Sequence, residues 1–164
     1  ELELDLTTLV PMIARPGDPR NGQAVTELDR EVPIQIAYGG SCTGGKAHDM
    51  DLYASVFADA LAKGQRVAPG VSCFIQYGSQ HIRAYAESRG YDAIFRDVGA
   101  TVLAPSCGAC ISAGPGASKD ASTVTISAQN RNFPGRSGPG DVWLASPLTV
   151  AASAIAGRVV AHGR

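Results

Sequence analysis

Short apolar runs and amphipathic runs take turns along most of this chain. "VPIQIAY" (32–38) is apolar and β-branched and ends at "GG", as a buried strand does. "HDMDLYASVFADALAKG" (48–64) repeats Met50, Tyr53, Phe57, Ala60 and Leu61 at helical spacing, with acids at its start and Lys63–Gly64 at its end. "VSCFIQY" (71–77) predicts a second strand. Ser79 then caps a helix through Arg89, with Ile82, Tyr85 and Ala86 inward and Gly90 as its stop. A brief helix over 92–98 ends at Gly99. Three more strands are expected at 101–104, 122–127 and 142–145, and Ser146–Pro147 opens a last helix that Gly157 stops.

Strands that alternate with helices across crossover-length connections predict an α/β fold. The expected form is a three-layer αβα sandwich on a mostly parallel sheet. The first 30 residues break the rhythm. "RPGDPRNGQ" (15–23) forbids continuous helix or strand, so residues 1–30 read as an N-terminal arm and 31–164 as one α/β domain. The chain opens without Met and closes just after a helical run, which gives the expectation of a fragment cut from a longer polypeptide. No basic-then-apolar leader is visible.

Composition changes this picture only by exclusion. The 164 residues suit one full-sized core, and a net charge of −1 offers little support for a nucleic-acid partner. No apolar run reaches membrane-spanning length. A core of this size needs no disulfides, so Cys42, Cys73, Cys107 and Cys110 read as reduced thiols of a reducing compartment, cytoplasmic or mitochondrial.

Ligands of parallel sheets bind beyond the carboxyl ends of the strands. Cys42 follows the first predicted strand and Cys107 and Cys110 the third. Asn130, Arg131, Asn132 and Arg136 follow the fourth, so a parallel sheet gathers all three loops at one end. C-x-x-C alone fits a redox pair, and with Cys42 as a third and His48 as a fourth ligand it fits zinc. It also fits an iron–sulfur cluster, whose size demands the close backbone approach that Gly39, Gly40, Gly44, Gly45 and Gly108 permit. Three thiols on four irons leave one iron free to act as a Lewis acid. Two arginines five residues apart suit bidentate grip on carboxylates. Cys73, inside a strand, reads as core; His48 reads as a helix-start residue, and Asn132 as a partner of backbone groups in its turn.

"GSCT" after a strand, "SQHIRAYAESRGYDAIFRDVGATVLAPSCGAC", "QNRNFPGR" and "LASPLTVAASAIAG" together resemble the cluster-bearing third domain of the aconitase family. That family takes in aconitase, homoaconitase and 3-isopropylmalate dehydratase. The resemblance spans nearly the whole chain in order and spacing. It implies a 4Fe–4S cluster on Cys42, Cys107 and Cys110, with Asn130 supporting the cluster by hydrogen bonding and Arg131 and Arg136 holding substrate carboxylates. The implied reaction is dehydration and rehydration of a small hydroxy di- or tricarboxylic acid. The implied partners are the remaining domains, or a small subunit carrying the mobile C-terminal domain with the proton-abstracting serine. No catalytic residue beyond the cluster site is expected in this chain, which alone should be inactive. Two positions depart from the family's usual "GSCTN" and "CGPC", namely Gly44 and Ala109, and neither supplies a thiolate. Beside this stand a metal-responsive RNA-binding module and a plain zinc or thiol-redox domain.

Overall fold

The computed structural model describes Glu3 and residues 5–163; residues 1, 2 and 4 of the arm and the terminal Arg164 lie outside them. Seven strands form one sheet: β1 (Met12–Ala14), β2 (Gly22–Ala24), β3 (Ile36–Gly40), β4 (Ser72–Gln76), β5 (Thr101–Leu103), β6 (Val124–Ser127) and β7 (Asp141–Ala145). Their order across the sheet is β2-β1-β7-β6-β3-β4-β5. The five strands from β7 to β5 are mutually parallel, and β1 and β2 add an antiparallel edge. From β3 the chain steps outward through β4 to β5, then returns to β6 on the other side of β3 and steps outward again to β7. Neighbouring strands β3 and β6 thus send their connections in opposite directions, the topology in which ligands bind beyond the carboxyl ends of the strands.

The helices form where the local chemistry called for them. In α2 (Ala47–Ala62) Asp49 accepts a hydrogen bond from the Lys46 N–H at 3.0 Å, and Met50, Tyr53, Ala54, Phe57 and Ala60 are buried. Ser79 Oγ accepts from the Ile82 N–H at 3.2 Å and opens α3 (Gln80–Ser88). Left-handed Gly90 and Gly99 bracket α4 (Tyr91–Val98). Ser146 Oγ accepts from the Thr149 N–H at 3.3 Å, with Pro147 in the first turn, and left-handed Gly157 ends α5 (Pro147–Ala156). Among the described residues no helix is long and apolar enough to cross a membrane.

These helices touch one another and lie against one side of the sheet: α5 on β3 and β6, α2 on β3, α4 on β5. That side carries the core, where Ala37, Cys73 and Ile75 from the strands meet Tyr53, Phe57, Phe95 and Val150. Phe57 and Phe95 pack edge to face, with ring centroids 6.1 Å apart. Alternation sends Tyr38, Phe74 and Gln76 to the other side. The layer there is the connection between β5 and β6, rich in Gly, Ser and Pro, whose regular piece is a 3-10 turn at Gly108–Ile111. The covering on this side is loop, because that composition does not sustain a helix.

Two further boundaries differ from the sequence reading. The arm contributes β1 and β2, with Met12 opposite Ala24, and β1 pairs with β7, so the expected loop is confined to the turn between them. The first predicted strand begins later and runs on through its two glycines. Gly39 and Gly40 pair with Ile75 and Gln76, and a Cβ on Gly40 would stand 1.9 Å from the Gln76 carbonyl oxygen. Those glycines are inside the strand because its neighbour leaves no room for anything larger.

Candidate functional site

At the end of β3 the backbone turns abruptly. Gly40 has φ +106°, and Ser41 is left-handed at φ +69°, a conformation non-glycine residues seldom adopt. The turn buries Ser41 and lifts Cys42 to the surface in the short helix α1 (Ser41–Gly44). Cys42 Sγ lies 3.8 Å from Thr43 Oγ1. Glycines floor this corner. A Cβ on Gly45 would be 2.2 Å from the Ser41 carbonyl oxygen, and one on Gly44 would be 2.6 Å from that of Ala128, after β6. The loops following β3 and β6 are thus in direct backbone contact.

The connection after β5 folds back over β4 toward this corner. Cys107 is exposed and precedes the 3-10 turn; Cys110 lies inside the turn and is buried. Burial pushes the Cys110 thiol above its ordinary value, and the thiols of Cys42 and Cys107 push it the same way. The Ser41 hydroxyl and the Arg136 guanidinium pull it down. Cys110 is therefore the point where the loops after β3, β5 and β6 come within electrostatic reach of one another. Ser41 and Thr43 each neighbour a sulfur, Cys110 and Cys42 respectively.

The loop after β6 is anchored by Asn132. Its Nδ2 donates to the carbonyls of Arg15 at 2.8 Å and Val142 at 3.0 Å, and its backbone carbonyl accepts from the Gly17 N–H at 3.2 Å. The N-terminal hairpin thereby holds the site loop in place. Asn130 and Arg131 stand exposed at the head of this loop, while Arg136 is half-buried with its Nε unpartnered. Gln129 accepts from Ser137 Oγ at 3.1 Å and leaves its buried Nε2 unpartnered. His48 is exposed on α2. Cys73 lies in the core, where burial alone pushes its thiol to about 12.

Two residues that patterning assigned to strands belong to this site. Tyr38, at 0 % exposure, donates to Gln76 Oε1 at 2.7 Å. Gln76, at 1 % exposure, donates from Nε2 to Ser106 Oγ at 2.7 Å and to the Ala104 carbonyl at 3.2 Å. The signal in the sequence was a glutamine inside the apolar run "VSCFIQY", a polar group that burial obliges to find partners.

Among the described residues, no three His, Cys, Asp or Glu side chains converge tightly enough to hold a single metal ion. A cluster is gripped at separate corners, so its thiolates need not meet at one point. The surroundings suit such a group. Glycine backbone lines the corner, the Cys42 and Cys107 thiols and the Arg136 guanidinium act electrostatically on Cys110, and Arg136 keeps an unpaired buried N–H. A positive neighbour favours thiolate over thiol, the form that binds iron.

The sequence matches the model of the aconitase family (aconitate hydratase) over residues 1–157. The 3-isopropylmalate dehydratase large subunit of Clostridioides difficile is 39% identical over 159 residues, which are 96% of this chain and 36% of that protein. Mitochondrial homoaconitase of Gibberella zeae is 39% identical over 168 residues, covering 99% of this chain and 22% of its own length. Mitochondrial homoaconitase of Cryptococcus neoformans is 41% identical over 159 residues, covering 95% and 21%. The chain thus spans 36% or less of the length of these three relatives. The family match runs from the edge hairpin through the last helix, and the chain belongs to the aconitase family.

Proposed function

We propose that this chain is the cluster-bearing part of an aconitase-family hydro-lyase, with Cys42, Cys107 and Cys110 as the thiolate ligands of a 4Fe–4S cluster. What supports the reading is that three separate loops bring the Cys42 and Cys107 thiols and the Arg136 guanidinium within electrostatic reach of Cys110. When bound, such a cluster supplies a Lewis-acidic iron that lacks a protein thiolate and is open to hydroxyl and carboxylate oxygens.

The chain's own residues have other tasks. The Arg136 charge offsets part of the burial that favours the protonated Cys110 thiol. Arg131 and Arg136 bind substrate carboxylates, a role their planar, fork-shaped donor sets suit. Asn130 supports the cluster by hydrogen bonding. Two guanidiniums on one loop fit a substrate with more than one carboxylate, which points to a small hydroxy di- or tricarboxylic acid. Relatives carry the names 3-isopropylmalate dehydratase and homoaconitase, in keeping with that class. The reaction is removal and re-addition of water between the hydroxy acid and its unsaturated partner. The group that moves the substrate proton comes from parts of the enzyme beyond this chain, in further domains or a separate subunit, and the chain alone turns over negligibly.

Anaerobic reconstitution with iron and sulfide is expected to load about four irons per chain and to produce broad visible absorbance. Cys110→Ser should cut that loading severalfold. Equal iron uptake by Cys110→Ser, or zinc at about one per chain in place of iron and sulfide, overturns the reading. Full hydratase turnover by this chain alone overturns the division of labour.

A further inference from the structure

The turn that carries Cys107 and Cys110 has little apolar side chain of its own to hold it down: Gly108 and Ala109 separate the thiols, and Ile111 beyond them is 63% exposed. Its place on the sheet is fixed from beneath by a directed chain of hydrogen bonds. The Tyr38 hydroxyl donates to Gln76 Oε1, and Gln76 Nε2 spends both hydrogens on the chain just before Cys107, at the Ala104 carbonyl and Ser106 Oγ. The direction of the chain is unambiguous. A carbonyl can only accept, so the Gln76 amide must face Ala104 with nitrogen, which leaves its oxygen for Tyr38. The connection closes round the same tyrosine on two sides. A Cβ on Gly108 would come to 3.2 Å from both Tyr38 Oη and Gln76 Nε2, and one on Gly116 would come to 2.3 Å from the Tyr38 ring. Both glycines have positive φ, +46° and +90°.

We propose that Tyr38 and Gln76 are positioning residues for the paired thiols: from the floor of the sheet they clamp the loop before Cys107 and set where Cys107 and Cys110 stand relative to Cys42. The proposal rests on the cluster reading above and adds to it two residues that touch neither iron nor substrate. They act through the Cys107 loop. Outer-shell partners of this kind typically change metal retention by about 10- to 100-fold when removed.

The test is iron release to a chelator from the reconstituted full chain, followed by the loss of visible absorbance. Tyr38→Phe keeps the ring that Gly116 packs against and removes only the hydroxyl, and it should release iron about 10 to 100 times faster than wild type. Ser106→Ala, at an exposed position, should accelerate release in the same direction and by less. Phe57→Leu, in the core on the far side of the sheet, supplies a destabilised control, since a merely structural loss would speed release in it as much at a matched fall in thermal midpoint. Release from Tyr38→Phe at the wild-type rate, or no faster than from that matched control, overturns the proposal. Should Tyr38→Phe fail to fold, an unchanged rate in Ser106→Ala overturns it equally. Wild-type chain that takes up no iron and sulfide defeats the cluster reading itself, and this inference with it.

Discussion

Cys73 and Cys110 are both buried thiols of the same small domain, on opposite sides of one sheet, and almost nothing else about them agrees. Cys73 faces the helices and sits among Ala37, Ile75 and Phe57, where desolvation is the only influence on its proton. Cys110 lies under a loop, and its proton feels a hydroxyl, a guanidinium and two more thiols. The helical side is held by apolar contact: Phe57 against Phe95, and Tyr53 and Val150 fully buried. The opposite side is held by directed hydrogen bonds and by glycines that admit no Cβ. Apolar packing tolerates exchange of one hydrophobe for another of similar volume, whereas a backbone-on-backbone contact tolerates nothing. The two sides should therefore fail in different ways when they are changed.

The largest failure is expected where the two sides share a strand. Gly40 pairs with Gln76 at φ +106°, and an alanine methyl there would meet the Gln76 carbonyl oxygen at 1.9 Å with no flexible side chain to yield. Gly40→Ala should cost more than about 4 kcal/mol, the range in which a small domain ceases to accumulate as folded protein. Urea denaturation, or soluble yield if nothing folds, measures it. A loss below about 1 kcal/mol would mean that the strand pair can open without penalty, and the account of a rigid glycine corner would fall.

Next in size is the exchange of the two thiols themselves. Cys73→Ser places a hydroxyl in a site with no partner and should destabilise by about 1–3 kcal/mol while iron loading stays at the wild-type level. Cys110→Ser, at a position already surrounded by polar groups, should shift apo-chain stability by less than about 1 kcal/mol and cut iron loading severalfold. Denaturation midpoint and iron content, measured on both variants, separate the roles. The reverse pattern would mean that the two sides of the sheet had been assigned wrongly.

The sequence was most informative where the cause is local. Ser79 and Ser146 cap the helices they were expected to cap, and Gly99 and Gly157 end theirs, because each acts on backbone groups within a few residues. The gathering of three loops at one end of the sheet was legible too, since it follows from parallel strands alone. What escaped depends on neighbours distant in sequence. Gly39 and Gly40 read as the end of a strand, yet they continue it because Ile75, Gln76 and Tyr53 crowd them. Three-residue strands such as β1 and β2 carry no periodicity of their own and exist by pairing, β2 with β1 and β1 with β7. Tyr38 read as an ordinary strand residue, and its place beneath the Cys107 loop appears only once the connection between β5 and β6 has folded back across the sheet.

The smallest effect is also the most specific to Cys73. Its thiol has an ordinary value of 9.0 and is pushed to about 12 by burial. The unfolded chain therefore begins to lose this proton near pH 9, while the folded chain keeps it until about 12. Through that window the unfolded state binds fewer protons, so stability falls as pH rises, by up to about 1.4 kcal/mol per unit from this group. Below pH 9 the two states bind the proton equally and the contribution is fully present. The buried tyrosines Tyr38, Tyr53 and Tyr77 are also raised, but from an ordinary value of 10.0, so their losses begin higher. Between pH 9 and 10 the slope of stability against pH should thus be shallower in Cys73→Ala than in wild type, even though the variant starts less stable at neutral pH. Urea midpoints at half-unit intervals resolve the two slopes. Equal slopes would mean that the folded chain lets solvent reach Cys73, and the contrast between a sealed side and a loop-covered side of the sheet would lose its sharpest edge.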